Sequence, residues 1–559
     1  MGNFDLIHDG GGQAYIRDNL PGLLGDDPTD RMRLLDGEFA LAVWDTDTHR
    51  LTLVRDRAGT RPIFYTYETG RWFAFASLPG ALIDAGLVAP DLDQHVLAQW
   101  SQSFDRHGDQ THFRGIKRVM PAHCLTFAAG SVTQRRYWSL QDVPRLPART
   151  DYRAVTTELR RQIERAVHRR LPERGPAFSH MSGGLDSAPL AVIGAKALAA
   201  RGDRLSGYSF LPLPDHENDP DLPIVTEWPA IKALCARNPN IDLVPVFSNA
   251  MPIVARHYFS RDFPHTNHDG FYYHQALSHA ADAGASTVIS GFGGDEAASY
   301  DGRAVAGELM RRLRFWSVYR SMPKRARNLY GLASLALAFA KAHPELAPLR
   351  WLAAQRSRAA RDRAVVQRFL RPEFRSETPN PPRAPDCRED MHQMFSGGRL
   401  GMICEELTWR AARYGLAYTL PLMDREVVEF AASIPAEIHQ AGPMRRSVYR
   451  DAMTDILPDV IRHRPEKLIA NPRYLYELSG HKPALRKEIT AMRGTEAEAV
   501  FDLQALMQGV EEIQELKAFA GDVRRATARD RQYGPAGMQV LWPLHLACYM
   551  AAHGRARPG

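Results

Sequence analysis

Two short stretches carry residues able to do chemistry, Ser182-Gly183-Gly184-Leu185-Asp186-Ser187 and Ser290-Gly291-Phe292-Gly293-Gly294-Asp295-Glu296. Each is a glycine-rich turn bearing a carboxylate, and each follows an apolar run that reads as a strand. In the first, paired glycines let backbone amides approach an anion and two serines add hydroxyl donors. The helix expected to follow offers its positive end and tolerates Pro189 in its first turn. Asp186 repels phosphate, so its sensible role is to hold a magnesium ion that bridges phosphates. Asp295 supplies a second ligand, and Ser290 with Gly291 lines an adenosine. The Gly-Lys-Ser/Thr ending of a Walker A loop is missing. The expected chemistry is therefore ATP cleaved between its α and β phosphates, with the first turn gripping pyrophosphate. A lone Gly-Gly turn is also what an ordinary tight turn looks like, and the pairing of two such turns favours the nucleotide. The candidate ATP-binding set is Ser182, Gly183, Gly184, Leu185, Asp186, Ser187, Phe210, Ser290 and Gly291, with Asp186 and Asp295 as metal ligands.

These turns need strands to hold them. At 559 residues the chain exceeds what one hydrophobic core serves, about 250 to 300 residues. From 35 to 77 it reads as short strands separated by turn residues such as Asp45-Thr46-Asp47, followed by a helical stretch near 92–104 and a hairpin near 124–138. This predicts a β-rich domain over 1–142. Val143-Pro144-Arg145-Leu146-Pro147 reads as a linker, placed at 143–150. From 151 to 559 a helix at 152–171 precedes strands alternating with helices, the pattern of a parallel sheet covered by helices. Ligands of such sheets bind at the carboxyl ends of the strands. Beyond Tyr300 the chain turns helical and arginine-rich, as in Lys324-Arg325-Ala326-Arg327, which is a solvated face or a docking surface for a peptide or protein.

Composition excludes several classes. The chain holds 71 Lys and Arg against 64 Asp and Glu, a charge too mild over this length to demand nucleic acid. Cys124, Cys235, Cys387, Cys404 and Cys548 form no metal-binding spacing and suit reduced thiols. No signal peptide is visible, and the longest apolar stretch falls short of the about 20 residues that span a bilayer. A cytoplasmic protein without membrane or nucleic-acid partners is expected.

The chain resembles the asparagine synthetase B superfamily. Leu35-Asp36-Gly37-Glu38-Phe39-Ala40, Trp44-Asp45, Arg55-Asp56-Arg57-Ala58-Gly59-Thr60-Arg61-Pro62 and Phe75-Ala76-Ser77 are similar to its amidotransferase-type N-terminal domain. The two glycine turns are similar to its synthetase motifs, and Pro421-Leu422-Met423-Asp424-Arg425 with Ser433-Ile434-Pro435 to its helical C-terminal part. The resemblance implies an N-terminal nucleophile (Ntn)-type β-rich domain, here degenerate, joined to an ATP-pyrophosphatase (PP-loop, adenine nucleotide α-hydrolase-like) parallel-sheet domain with a helical extension. It implies ATP and Mg2+ as cofactors and adenylation of a carboxylate that is then passed to an amine.

Departures narrow the expectation. Glutamine-dependent members need a cysteine directly after the initiator; position 2 is Gly2, and the segment before Leu35 looks short for a full glutaminase sandwich, so the domain is degenerate or the start truncated. Leu416-Ala417-Tyr418-Thr419-Leu420 stands where asparagine synthetases carry Glu-Ala-Arg, and Phe292 where they carry an acid and β-lactam synthetases a tyrosine. A phenyl ring cannot relay a proton. What remains resembles lasso-peptide cyclases, which implies a precursor core peptide as substrate, closure of an Asp or Glu side chain onto the peptide's N-terminal amine, and as partners a leader-peptide recognition protein and a leader peptidase. The alternatives are an ammonia-dependent asparagine synthetase-like or β-lactam synthetase-like enzyme, or an inactive peptide-binding scaffold. Phe271, Tyr272 and Tyr273 suit a large, weakly charged pocket. Lys467 falls where the family steadies the acyl-adenylate and pyrophosphate, with Arg462 and Arg464 as further anion contacts, or is a surface lysine. Glu405 and Glu406 are candidate bases for the amine, of which at most one faces the site, or belong to a salt-bridged helix surface. His265, His268 and His274 with Asp262 and Asp269 match no zinc spacing.

Overall fold

The computed structural model describes residues 3–6, 32–33, 35–102, 108–211, 227–247, 260–264, 270–321, 336, 339, 343, 365–376, 384, 386–439, 441, 444–464, 480–513 and 540–554. Its N-terminal part is β-rich. Strand β1 (Asn3–Leu6) pairs antiparallel with β2 (Leu35–Glu38), followed by β3 (Ala40–Asp45), β4 (Arg50–Arg55), β5 (Phe64–Glu68), β6 (Trp72–Ala76), β7 (Lys117–Arg118), β8 (His123–Ala128) and β9 (Ser131–Arg136). The hairpins do not form one meander. One antiparallel sheet runs β3-β4-β8-β9 and another β6-β5-β7. Apolar side chains from both, including Leu53, Ile63, Tyr65, Val119 and Leu125, meet in one cluster. Phe73 stacks on Phe127 across it at 5.0 Å.

The second part opens with α1 (Tyr152–His168), capped by Asp151, whose Oδ2 accepts from the Ala154 amide at 2.8 Å. Val155, Leu159, Ile163, Ala166 and Val167 recur at helical spacing and are buried. Then β10 (Ala177–His180), α2 (Ser187–Ala199), β11 (Leu205–Leu211), α3 (Trp228–Arg237), β12 (Ile241–Phe247), α4 (Gly270–Asp282), β13 (Thr287–Ile289), α5 (Arg399–Ala412) and β14 (Ala417–Thr419) build a parallel sheet ordered β12-β11-β10-β13-β14. Helix α2 is apolar around most of its circumference, as a helix enclosed by a core must be. The strand order reverses between β10 and β13, the switch point at which open sheets of this kind bind ligands. Both glycine turns leave the carboxyl ends of those two strands. Strands β12 and β14 complete the sheet although neither is evident from pattern: β12 contains Asp242 and Pro245, and β14 is three residues long.

Helices α6 (Arg425–Ser433) and α7 (Ser447–Ala452) pack against α1 and the sheet. The helix Leu541–His553 returns to the N-terminal part, where the Trp542 indole donates to the Trp100 carbonyl at 2.8 Å. The linker is strapped down. The Leu146 amide donates to the Ser433 carbonyl at 2.9 Å, and Arg145 pairs with Glu308 at 2.9 Å and Asp386 at 2.7 Å. No described helix is long and apolar enough to cross a membrane.

Candidate nucleotide site

The first turn is tied by its own serines. The Ser187 hydroxyl accepts from the Ser182 amide at 3.0 Å and lies 2.7 Å from the Ser182 hydroxyl, which accepts from the Gly184 amide at 3.0 Å. The Gly183 amide donates at 3.0 Å to the carboxylate of Glu227, a residue at the start of α3 that the sequence did not single out. A carboxylate thus occupies the anion position that the paired glycines were expected to create. Arg464 donates to the Gly183 carbonyl, while Arg462 turns away to Asp459 at 2.9 Å.

The second turn lies directly on the first. A Cβ on Gly291 would fall 2.6 Å from the Ser187 amide nitrogen and 2.7 Å from the Asp186 carbonyl carbon, and one on Gly294 would fall 2.6 Å from an Asp186 carboxylate oxygen. Only glycine permits this approach. The Ser290 amide donates to the Thr419 carbonyl of β14 at 3.0 Å, and its hydroxyl accepts from the Phe292 amide at 3.3 Å. Gly293 has φ +91° and faces the Met423 side chain, which leaves no room for a Cβ.

Asp186 and Asp295 converge on one cation. Arg446, at the start of α7 with φ 63°, places Nη1 3.7 Å from Asp186 Oδ2 and pairs through Nη2 with Asp295. Burial opposes its charge, but the two carboxylates hold the guanidinium above its ordinary range. The Ser299 hydroxyl donates to Asp186 Oδ1 at 2.5 Å. Two carboxylates already sharing a positive charge are a donor set that suits a divalent ion of the hard, oxygen-seeking kind. Burial and the nearby Asp295 push the Glu296 carboxyl up.

Beneath the turns, on the face covered by α4 and α5, lies an aromatic layer. Phe210 sits 5.5 Å from Tyr273 and 5.8 Å from Tyr208, ring centre to ring centre. His180 Nε2 is 2.9 Å from the Tyr418 hydroxyl, itself 3.2 Å from that of Tyr208. Burial pushes the His180 imidazole down to about 3, so it is neutral. Leu185 packs on the opposite core, with α1 and α2.

The two adjacent glutamates part company. Glu405, 1% exposed, points into the N-terminal part, where Arg55 Nη1 binds it at 2.9 Å and Arg118 lies 3.7 Å away. It does not reach the turns and is no candidate base. Glu406 pairs with Arg410 one helical turn on, and that guanidinium lies 5.0 Å over the Tyr273 ring, beside the aromatic layer. Lys467, His265, His268 and Asp269 lie outside the described residues, as do the side chains of Phe271 and Tyr272. His274 packs on Tyr414 and Asp262 accepts from the Gly80 amide, both away from the turns. No cluster of three metal-ligating side chains occurs among the described residues.

Residues 158–541 match the family model for asparagine synthase, and residues 24–138 match that for a glutamine amidotransferase domain. The chain belongs to the asparagine synthase family. Among curated proteins it is similar to asparagine synthetase [glutamine-hydrolyzing] 3 of Bacillus subtilis (strain 168), 36% identical over 166 residues, 29% of this chain and 26% of the relative. It is also similar to the amidase chyE of Penicillium rubens, 30% identical over 178 residues, 31% of this chain and 25% of the relative. The matched stretches span about a quarter of the length of these relatives. For the asparagine synthase family member described here, the parallel sheet and the β-rich part therefore correspond to the two family models. Arg446, Glu227 and Ser299 are the site residues that sequence reasoning missed. Ser299 follows the second turn by three residues, Glu227 lies in no motif, and the Arg445-Arg446 pair is one of several basic doublets in the chain.

Proposed function

We propose that this protein is an ATP-dependent, AMP-forming carbon-nitrogen ligase that closes a peptide macrolactam. The observation that carries the first half is the close approach of Gly291 to the Ser187 amide, which lays the two glycine turns against each other at the switch point. With Glu227 displaced from the Gly183 amide, the Ser182 turn would hold the β and γ phosphates, with Arg464 beside it and Lys467 as a further cation. The N-terminal end of α2 would favour the departing pyrophosphate. Asp186 and Asp295 would hold Mg2+, which supplies charge neutralisation for the triphosphate when bound. A substrate carboxylate would attack the α-phosphate, expelling pyrophosphate, and an amine would then displace AMP to leave an amide. Glu406, the nearer of the paired glutamates to the aromatic layer, is the candidate to take the amine's proton.

The second half rests on Phe292 and the aromatic layer of Phe210, Tyr273 and Tyr418. A largely aromatic wall, whose neighbouring charges Glu406 and Arg410 are paired with each other, favours an Asp or Glu side chain within a precursor core peptide, closed onto its own N-terminal amine as in lasso-peptide biosynthesis. A leader-peptide recognition protein and a leader peptidase would then be partners. Likeness to the asparagine synthetases favours a second reading, amidation of a small acid with ammonia. The test incubates the protein with ATP, Mg2+ and leader-free core peptide. Peptide-dependent AMP release with loss of one water from the peptide mass is expected. An intermolecular amide, or AMP formed only with aspartate and ammonia, overturns macrocyclisation.

A further inference from the structure

The turn after β14 connects the two parts of the molecule to the nucleotide site. Its first residue, Leu420, leads into the single helical turn Pro421–Met423. Leu422 and Met423 press on the second glycine turn: a Cβ on Gly294 would lie 2.8 Å from Leu422 Cδ1, and Gly293 is filled by Met423. Gly294 in turn touches the Asp186 carboxylate. Whatever fixes Leu420 thus fixes the height of the second glycine turn over Asp186.

That support comes from the other part of the molecule. Glu38, at the end of β2 and 5% exposed, accepts at Oε1 from the Leu420 amide at 2.9 Å and from Arg170 Nε at 2.8 Å. Its Oε2 lies 3.3 Å from Arg61 Nη2, which also donates to the Tyr418 carbonyl at 3.2 Å. A small cavity lined by charged residues, among them Asp36, Glu38, Arg170 and Arg425, together with Leu420 and Met423, adjoins the turn. On this side the turn is held by hydrogen bonding rather than by close packing. A side chain that spans the boundary and bonds one backbone amide acts as a strut of fixed length.

We propose that Glu38 is a positioning residue for the nucleotide site, acting from the N-terminal part through the Leu420 turn; the assignment rests on the reading of that site given above. What matters is the position of its oxygen, not its charge. Glu38→Gln keeps a carbonyl oxygen at the same reach for the Leu420 amide but loses the ion pairs with Arg170 and Arg61, a cost expected in Tm rather than in affinity. Glu38→Asp keeps the charge but withdraws it by one methylene, and a misplacement of about 1 Å near a reacting centre costs up to ~100-fold.

The test measures Mg·ATP affinity of the full chain by calorimetry, with Tm alongside, and then substrate-dependent AMP release. Glu38→Gln is expected within about threefold of wild type and Glu38→Asp at least about tenfold weaker, a gap of ~0.7 kcal/mol or more. Asp36→Asn serves as control: beside the same cavity it loses ion pairs to Arg57 at 3.7 Å, Arg169 at 3.7 Å and Arg425 at 3.6 Å, but it makes no hydrogen bond to the Leu420 turn. It is expected to lower Tm and leave affinity unchanged. The proposal is overturned if Glu38→Asp binds as well as Glu38→Gln, the order expected of a plain ion pair, or if Asp36→Asn weakens binding as much as Glu38→Asp. Calorimetry needs no acyl substrate. A wild-type chain that binds Mg·ATP but forms no AMP with any acid refutes the ligase reading, and the order of the variants still decides on Glu38.

Discussion

Arg446 stands between Asp186 and Asp295, 3.7 Å from the first and ion-paired with the second. The guanidinium competes for the oxygens a divalent ion would use. Arg446→Met should therefore raise the affinity of the nucleotide-free protein for Mg2+ by about tenfold, ~1.4 kcal/mol. Titration calorimetry with MgCl2 checks it, and unchanged or weaker binding contradicts it.

Gly291 and Gly307 offer a matched pair of alanine substitutions. At Gly291 the new methyl would meet the Ser187 backbone at 2.6 Å, whereas Gly307 has nothing within 4 Å. Gly291→Ala should cost about 1–3 kcal/mol of stability and abolish most Mg·ATP binding. Gly307→Ala, within the helix Val305–Arg311, should stabilise by roughly 0.5 kcal/mol. Urea unfolding of both variants, with and without Mg·ATP, gives the comparison; equal effects would show that the turns are not packed as described.

Glu405 is predicted to matter for stability and not for chemistry. Removing its carboxylate leaves Arg55, which is 0% exposed, without its counter-charge. Glu405→Ala should cost about 3–5 kcal/mol, read as a lowered urea midpoint, with AMP formation per folded molecule preserved. Glu406→Gln should remove most AMP formation per folded molecule and, because it breaks the buried pair with Arg410, also lower the urea midpoint. A Glu405 variant that is stable but inactive would reinstate it as a base.

Acid should destabilise the fold through its buried imidazoles. Burial pushes His180 down to about 3 and His439 down to about 4. Each is neutral in the folded chain, while an unfolded histidine takes a proton near pH 6.5. Between these values the unfolded state binds more protons, so stability falls as pH drops from about 6.5 toward 4 and is flat above 6.5 on this account. Tm measured across that range should decline less steeply for His180→Phe, which keeps an aromatic ring in the layer; an unchanged slope would mean that His180 titrates normally.

The glycine turns and most strands were legible because their signals are local. A turn that must pass backbone against backbone can use only glycine, so Gly183, Gly291 and Gly294 appear as motifs. Strand β14 escaped notice because its three residues, Ala417, Tyr418 and Thr419, are too few for a period and draw their identity from pairing with β13. The fates of Glu405 and Glu406 were undecidable from spacing, since adjacent residues on a helix diverge by about 100° and only the position of Arg55, 350 residues away in sequence, decides between them. Arg446 and Glu227 were invisible for the same reason: each acts on a partner brought near by the fold.

The linker is fixed by bonds of its own. Arg145 is gripped by Glu308 and Asp386, and Leu146 by Ser433. It is less a hinge between two bodies than a seam stitched into one. A protease cutting there would release no fragment: the halves would stay together through Glu38, Arg55 and the returning C-terminal helix, behaving in solution as a single nicked particle.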